Sequence, residues 1–284
     1  MKILLTGGSG DLGKVLTPEL KKRGDSVVRF DIRKPDDQQG EFILGSILDR
    51  KRLLEVLPGV DLIVHIAAWH GFHEFTQQKN IYDFWDLNVT GTFNVFQAAV
   101  ECKVKKIIFI SSEAITDKTG NYGWTKVLGE EIAKQFIQNK KLDILTLRPR
   151  AFIPHWNKQV YSSFIEWANW FCKGAVHIND VAQAVIQSID LLSKQSLFQH
   201  LALPIDGAYE YTQSDLDNWD QSKPGTIFKK YYANYFDLAL RYGIDPNVKP
   251  SMQDISETKK WLGYEPSYSL MNLLQDLSRY SEVS

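Results

Sequence analysis

The sequence predicts an α/β fold, a doubly wound parallel sheet with a small C-terminal lobe. Three observations carry this. Short β-branched or leucine-rich runs alternate with longer stretches of helical periodicity through the first 150 residues, the pattern of βαβ units. The short runs are nearly continuous in apolar residues, as expected of strands covered by helices on both faces. The first run enters a glycine-rich turn, and a helix follows it.

The elements are read in chain order. KILLT at 2–6 is the first strand, and the helix after Gly13 contains Pro18, which removes a backbone donor and is expected to kink it. Strands follow at 26–32 (SVVRFDI), 41–45 (EFILG) and 61–67 (DLIVHIA). Segment 81–101 places Phe84, Leu87, Gly91, Val95 and Ala98 on one helical face. Strand KIIFIS at 106–111 precedes a helix at 124–139 with Val127, Ile132, Phe136 and Ile137 on one face, and LDILTLR at 142–148 is the next strand. After Pro149 the alternation stops. Trp167, Trp170 and Phe171 have the spacing of a helix face, and AVHIND at 175–180 and LFQHLALP at 197–204 read as later strands around a helix at 180–193. The rest is helical and turn-rich. The expected division is a core at 1–150, to which 175–204 returns, and a substrate-binding lobe formed by 151–174 and 205–284.

Composition narrows the function classes. The chain has 284 residues, 44% apolar and 24% charged, which excludes disordered, collagen-like and coiled-coil classes. With 33 basic and 34 acidic side chains, it has no electrostatic footprint for nucleic acid or an anionic membrane. No apolar run approaches the roughly 20 residues of a membrane helix. Two cysteines, Cys102 and Cys172, no CxxC and no secretory N-terminus read as a cytoplasmic protein.

The chemistry concentrates at strand ends. TGGSGDLG at 6–13 spaces Gly7, Gly10 and Gly13 as GxxGxxG, allowing a tight turn, close approach of a pyrophosphate, and close packing of helix on sheet. Eighteen residues after Gly13, at the end of the second strand, Asp31 stands where an acid accepts hydrogen bonds from an adenosine ribose and repels a 2′-phosphate, so NAD is favoured over NADP; Arg33 moderates that preference. Tyr122 and Lys126 lie one helical turn apart on the same face, where a cation can stabilise a phenolate. About one such pair is expected by chance in this composition. Its weight comes from position, shortly after the strand ending at Ser111 and Ser112, where open α/β sheets bind ligands.

The glycine turn, Asp31, HIAA at 65–68, NVTGT at 88–92, ISS at 110–112, YGWTK at 122–126, LRPR at 147–150, VHINDVAQAV at 176–185 and LGYEPSYSL at 262–270 together resemble the extended short-chain dehydrogenases/reductases, the NAD-dependent epimerase/dehydratase family. The resemblance spans nearly the whole chain. It implies a Rossmann-type fold and NAD as cofactor, held by Gly7, Gly10, Asp11, Leu12, Gly13, Asp31, Ala67, Ala68, Tyr122 and Lys126. It also implies Tyr122 as general acid/base, Lys126 lowering the phenol pKa and holding the nicotinamide ribose, and Ser112, not Ser111, on the reacting oxygen. Asn88 takes a structural role tying helix to strand, and the helices at 81–101 and 124–139 form a homodimer interface.

Departures from the family pattern shape the substrate expectation. Dehydratases carry an Asp-Glu pair after the catalytic Ser/Thr, whereas here Glu113 precedes Ala114, so dehydration is demoted. The short stretch from Leu147 to VHIND resembles members acting on free sugars and sugar acids more than those with a nucleotide pocket. Trp69, His70 and His73 either stack on and hydrogen-bond a sugar ring or pack under a loop; the two imidazoles alone do not make a metal-ligand set. Ser112 and Glu113 border the same cleft, and Arg150 either anchors a substrate carboxylate or packs. The expected function is hydride transfer between NAD and a hydroxyl-bearing carbon of a sugar, sugar acid or nucleotide-sugar. The alternatives are a nucleotide-sugar 4-epimerase with tightly bound NAD and a non-catalytic NAD-binding regulator.

Overall fold

The computed structural model describes residues 1–116, 120–139, 141–197 and 199–283. Seven parallel strands form one sheet in the order β3-β2-β1-β4-β5-β6-β7. They are β1 Lys2–Thr6, β2 Ser26–Asp31, β3 Glu41–Leu44, β4 Leu62–His65, β5 Lys106–Ile110, β6 Asp143–Pro149 and β7 Leu201–Ile205. Chain order reverses between β1 and β4, which pair Ile3 with Leu62 and Thr6 with His65. That switch point opens a crevice at the carboxyl ends of the strands, where such sheets bind ligands.

Strand alternation divides the apolar residues between two faces. Ile3 and Leu5 of β1, Ile108 and Ile110 of β5 and Leu145 and Leu147 of β6 pack beneath helices α1 (Asp11–Lys22) and α8 (Ile178–Lys194) through Leu12, Leu16, Leu20, Val181, Val185 and Ile189. Leu4, Ile107, Phe109 and Ile144 face the other way, toward α2 (Arg50–Val56), α5 (Gly91–Glu101) and α6 (Asn121–Gln138). Burial on both faces is why these strands read as continuous apolar runs. A third core lies outside the sheet. It gathers Trp167 and Phe171 of α7 (Phe164–Phe171), Tyr211, Trp219, Phe228, Tyr232 and the face Leu273, Leu274 and Leu277.

Three local expectations need correction. The run 175–180 is not a strand: His177 caps α8, its side chain accepting from the Asn179 N–H at 3.3 Å, and the helix begins at Ile178. An apolar run feeding a capped helix has the same composition as a short strand, and only the cap separates them. The strand expected over 197–204 is β7 at 201–205, and Phe198 within that expectation lies outside the described residues. Segment 81–101 is helical throughout but in three pieces: α4 (Ile81–Phe84), a π-helical turn (Trp85–Thr90) and α5. Helix α1 runs through Pro18 as one element, with the Thr17 hydroxyl donating to the Gly13 carbonyl at 2.6 Å in the turn before it.

The C-terminal segment closes onto the sheet through two sequence motifs that meet in space. Asp180, at the start of α8, accepts from the Ser267 N–H and hydroxyl, each at 2.9 Å, and from the Tyr268 N–H at 3.1 Å. The Tyr264 hydroxyl donates to the Asp206 carbonyl beyond β7 at 2.9 Å. No helix among the described residues is long and apolar enough to cross a membrane.

Candidate active site

The glycine turn is fixed from below. Gly7 adopts φ +68, a left-handed conformation that favours glycine, and its N–H donates to the Phe30 carbonyl of β2 at 2.9 Å. A Cβ on Gly13 would stand 2.2 Å from the Gly8 carbonyl oxygen, so glycine is required for α1 to pack on the turn. Gly10 differs: a Cβ there meets only the Gly7 carbonyl, at 3.3 Å, and otherwise open space. Gly10 is the N-cap of α1 and offers no side-chain acceptor to the first helical N–H groups, those of Asp11 and Leu12. An uncapped helix N-terminus beside an open glycine surface suits a pyrophosphate.

Asp31 stands at the end of β2, beside the turn. Its Oδ2 accepts from the Ser9 N–H and its Oδ1 from the Arg33 N–H, each at 3.0 Å, and each oxygen keeps further acceptor capacity. Ala67 abuts the turn, its Cα 2.8 Å from where a Gly7 Cβ would be, and Ala68 follows it. Leu12 is buried in the core, so its contribution toward a ligand is backbone only. The Asp11 carboxyl, its pKa raised by burial, accepts from the Asn157 amide at 2.6 Å and so joins the turn to the segment after β6. Arg29 is a supporting residue that sequence patterning does not single out. It is fully buried in β2, with Nε donating to the Gly8 carbonyl at 2.7 Å and Nη1 to Asp37 at 2.5 Å.

The second group gathers where β4 and β5 end. Ser111 is taken up by structure: its hydroxyl donates to Glu130 at 2.6 Å, and Glu130 also receives Arg148 through two bonds of 2.9 and 2.6 Å. The Ser112 hydroxyl accepts from the Ala114 N–H at 3.1 Å and lies close enough to the Tyr122 phenol to act on its pKa. Lys126 is buried, its Nζ donating to the Ile110 carbonyl at 2.8 Å and lying 5.8 Å from the Tyr122 ring centre. Burial pushes the Lys126 ammonium down to about 8. In the protein alone burial also pushes the Tyr122 phenol above its usual value, against the Ser112 hydrogen bond and with the Glu113 charge adding to it. The expected acidified phenol is therefore not produced by these residues by themselves, because desolvation of a phenolate outweighs the local stabilisation.

His65, at the end of β4, orders the floor. Its Nδ1 is 2.7 Å from the Thr6 hydroxyl and its Nε2 is 3.0 Å from the Thr92 hydroxyl. The Thr92 hydroxyl donates to the Asn88 carbonyl at 2.6 Å, so it accepts from His65, which fixes the proton on Nε2 and makes Nδ1 the acceptor. Burial and Lys126 depress this imidazole to about 3, keeping it neutral. Asn88 lies in the π-helical turn, a distortion often found at functional sites. Its side chain grips the Trp69 backbone from both sides, accepting from N–H at 2.8 Å and donating to C=O at 2.9 Å, and also donates to the Thr125 hydroxyl at 3.0 Å. It thus ties the helix to the loop after β4 and to α6.

The loop residues Trp69, His70 and His73 form one aromatic cluster. The His70 and His73 ring centres are 4.2 Å apart, those of Trp69 and His73 are 4.9 Å apart, and Lys79 Nζ sits 4.3 Å from the Trp69 ring. Burial, with His73 and Lys126 nearby, pushes His70 down to about 4, so it is a neutral hydrogen-bonding group. No group of three or more His, Cys, Asp or Glu among the described residues is placed to hold a metal ion. Arg150 is committed elsewhere. Its guanidinium is buried in a clasp with Glu113 (3.1 Å), Asp206 (3.6 Å), the Tyr209 hydroxyl (3.4 Å) and the Ser251 carbonyl. Glu113, its pKa raised by burial, also receives Gln253. A free anchor for a substrate carboxylate is thus not what this arginine presents.

Comparison with known proteins places this geometry. The family model described as the NAD dependent epimerase/dehydratase family matches residues 3–168. An uncharacterized protein of Sinorhizobium fredii is 30% identical over 94% of this chain and 75% of its own length. An uncharacterized epimerase/dehydratase of Staphylococcus aureus is 24% identical over 96% of this chain and 94% of its own. Among solved structures, a short-chain dehydrogenase/reductase superfamily protein from Agrobacterium tumefaciens with bound NAD superposes with TM-score 0.74 at 15% identity, covering 100% of this chain and 98% of that one. UDP-glucuronic acid 4-epimerase from Bacillus cereus in complex with NAD superposes with TM-score 0.69 at 19% identity, covering 100% and 99%. With the glycine turn after β1, the Tyr-x-x-x-Lys pair on α6 and the serine following β5, and with the family match over more than half its length, the chain belongs to the NAD-dependent epimerase/dehydratase family.

Proposed function

We propose that the protein is an NAD-dependent oxidoreductase of the extended short-chain dehydrogenase type, acting at a hydroxyl-bearing carbon of a sugar or sugar-like small molecule. The observation that carries this is the convergence of Ser112, Tyr122 and Lys126 at the carboxyl end of β5, beside a glycine turn with an open surface at Gly10. The turn and the α1 N-terminus fit a dinucleotide pyrophosphate, Asp31 fits its adenosine ribose and disfavours a 2′-phosphate, and Ala67 and Ala68 flank the path to the Tyr122 crevice. NAD held there supplies the hydride acceptor.

The residues then divide the remaining work. Ser112 hydrogen-bonds the substrate oxygen and holds the hydroxyl toward Tyr122, which removes its proton as the carbinol carbon is oxidised and returns it in reduction. Lys126 has three donors, of which Ile110 holds one, leaving others for a ribose hydroxyl and a cation close to the phenol. Lys126, together with the positive charge that a bound oxidised nicotinamide would add in a water-poor crevice, would favour the phenolate that the protein alone disfavours. Trp69, His70 and His73 form the sugar-facing wall, and the lobe built from 151–174 and 205–284 covers the substrate.

Nucleotide-sugar 4-epimerisation is the second reading, favoured by end-to-end superposition on UDP-glucuronic acid and UDP-galactose 4-epimerases. A panel of free sugars, uronates and UDP-sugars with NAD separates the two. Accumulating NADH supports net dehydrogenation, whereas isomerised product without NADH establishes the epimerase. Unchanged activity in Tyr122→Phe would overturn both and leave a cofactor-binding regulator. A homodimer is proposed through α5 and α6, where Phe93 is exposed beside an apolar groove lined by Val89, Leu128, Ile132 and Phe136. A cytoplasmic setting fits the two unpaired cysteines, Cys102 and Cys172.

A further inference from the structure

We propose that Glu74 is a positioning residue for Tyr122, clamping the first turn of α6 to the loop that carries Trp69, His70 and His73; this rests on the oxidoreductase reading of the site. Helix α6 begins after Gly120, which is extended at φ -105 and ψ 159 and has no side chain with which to cap it. The first two helical N–H groups are instead taken from a distance. Glu74 Oε1 accepts from the Asn121 N–H at 2.6 Å and Oε2 from the Tyr122 N–H at 3.0 Å. A Cβ on Gly120 would stand 2.8 Å from Glu74 Oε2, so glycine at the N-cap is what lets the carboxylate reach the helix.

Glu74 belongs to α3 (Gly71–Phe75), a single five-residue turn that also touches the Tyr122 ring, Cδ1 lying 3.4 Å from where a Gly71 Cβ would be. The Tyr122 backbone is therefore held at both of its polar groups. Its N–H goes to Glu74, and its carbonyl receives the Thr125 hydroxyl at 2.9 Å. Thr125 in turn receives Asn88, which grips the Trp69 backbone at the start of the same loop. The substrate-facing loop is thus pinned to the catalytic helix on either side of the phenol-bearing residue. A ligand that displaces Trp69, His70 or His73 moves Tyr122 with them.

The clamp has an electrostatic consequence as well. A carboxylate at the positive end of an 18-residue helix is stabilising, and it opposes the field that this helix end exerts on a phenol in its first turn. The charged or titratable groups facing Tyr122 are Lys126 on its own helix, Glu113 after β5, and Glu74 and the neutral His70 from the loop after β4. Neutralising Glu74 leaves the field of the helix end unopposed at its first turn, so the phenol there is expected to ionise at lower pH.

The test uses the full chain with Glu74→Ala, Glu74→Gln and Tyr122→Phe. Amide exchange is followed by mass spectrometry on the peptide spanning 120–126, with peptides from β1 and α1 as internal reference. Exchange at the α6 start at least about tenfold faster in Glu74→Ala, with Glu74→Gln intermediate because it keeps one acceptor, is the expected result. With the best substrate of the sugar panel, kcat falls about tenfold to a hundredfold in Glu74→Ala, and the acidic limb of kcat/KM moves to lower pH in Glu74→Gln. A role confined to stability would leave the kcat of the folded enzyme and that limb unchanged, and such a result overturns the proposal. Should Glu74→Ala not fold, Glu74→Gln decides by the limb and the exchange rate. Activity retained in Tyr122→Phe would instead overturn the oxidoreductase reading, and the exchange data would still judge the clamp.

Discussion

Lys126 is a buried cation whose cost to the fold is measurable. The unfolded chain holds a lysine proton up to a pH of about 10.4, whereas burial in the folded protein brings this group down to about 8. Between those values the unfolded state binds a proton that the native state does not, so stability rises with pH in that window and is insensitive to this group below it. At pH 7 the penalty is about 3 kcal/mol, from the shift at about 1.36 kcal/mol per unit, and about 2 kcal/mol of it is recovered by pH 9.5. Lys126→Met removes the charge while filling similar space. The Ile110 carbonyl then loses its donor, a loss of about 1–3 kcal/mol, so stability at pH 7 changes little or rises by up to about 2 kcal/mol. The decisive quantity is the slope. Urea unfolding of both proteins at several pH values between 7 and 9.5 is expected to show the wild type gaining about 2 kcal/mol relative to the variant. Parallel pH profiles would refute the reasoning, since they would mean that Lys126 keeps its proton in the native state as long as in the unfolded chain, as a well-solvated lysine does. Turnover is expected to be lost in the variant whatever its stability, so that a group costly to the fold is retained for function.

Three further outcomes follow from the geometry. His65, held neutral at about 3, makes the protein acid-sensitive, because below pH 6.5 the unfolded state takes up a proton the native state refuses; about 2 kcal/mol is lost by pH 5, and nitrogen NMR should show an Nε2–H imidazole that does not titrate between pH 5 and 8. Arg150→Ala leaves Glu113 and Asp206 without their shared cation, at a cost of about 3–5 kcal/mol in chemical denaturation; a loss below about 1 kcal/mol would show that the clasp is solvated. Gly10→Val fills the open side of the turn while leaving Gly13 and its packing intact, so calorimetry should find NAD affinity reduced at least about tenfold with the melting temperature of the unliganded protein nearly unchanged.

The parts of this protein legible in one dimension are those whose partners lie close along the chain or repeat with the period of an element. The βαβ alternation, the glycine turn before α1, Asp31 at the end of β2 and the Tyr122 to Lys126 spacing are of that kind, because two-sided burial, left-handed backbone and one helical turn each leave a local mark. That the Ser111 hydroxyl is held by Glu130, 19 residues further on, emerges only in space. Tertiary structure decided the rest. Glu74 caps a helix 47 residues further on, Asn157 reaches Asp11 across 146 residues, and Arg150 meets Glu113, Asp206 and Ser251 from three separate segments. Buried charges and helix ends must find partners, but sequence does not say which, since any carboxylate or carbonyl that the fold brings within about 3 Å satisfies them equally.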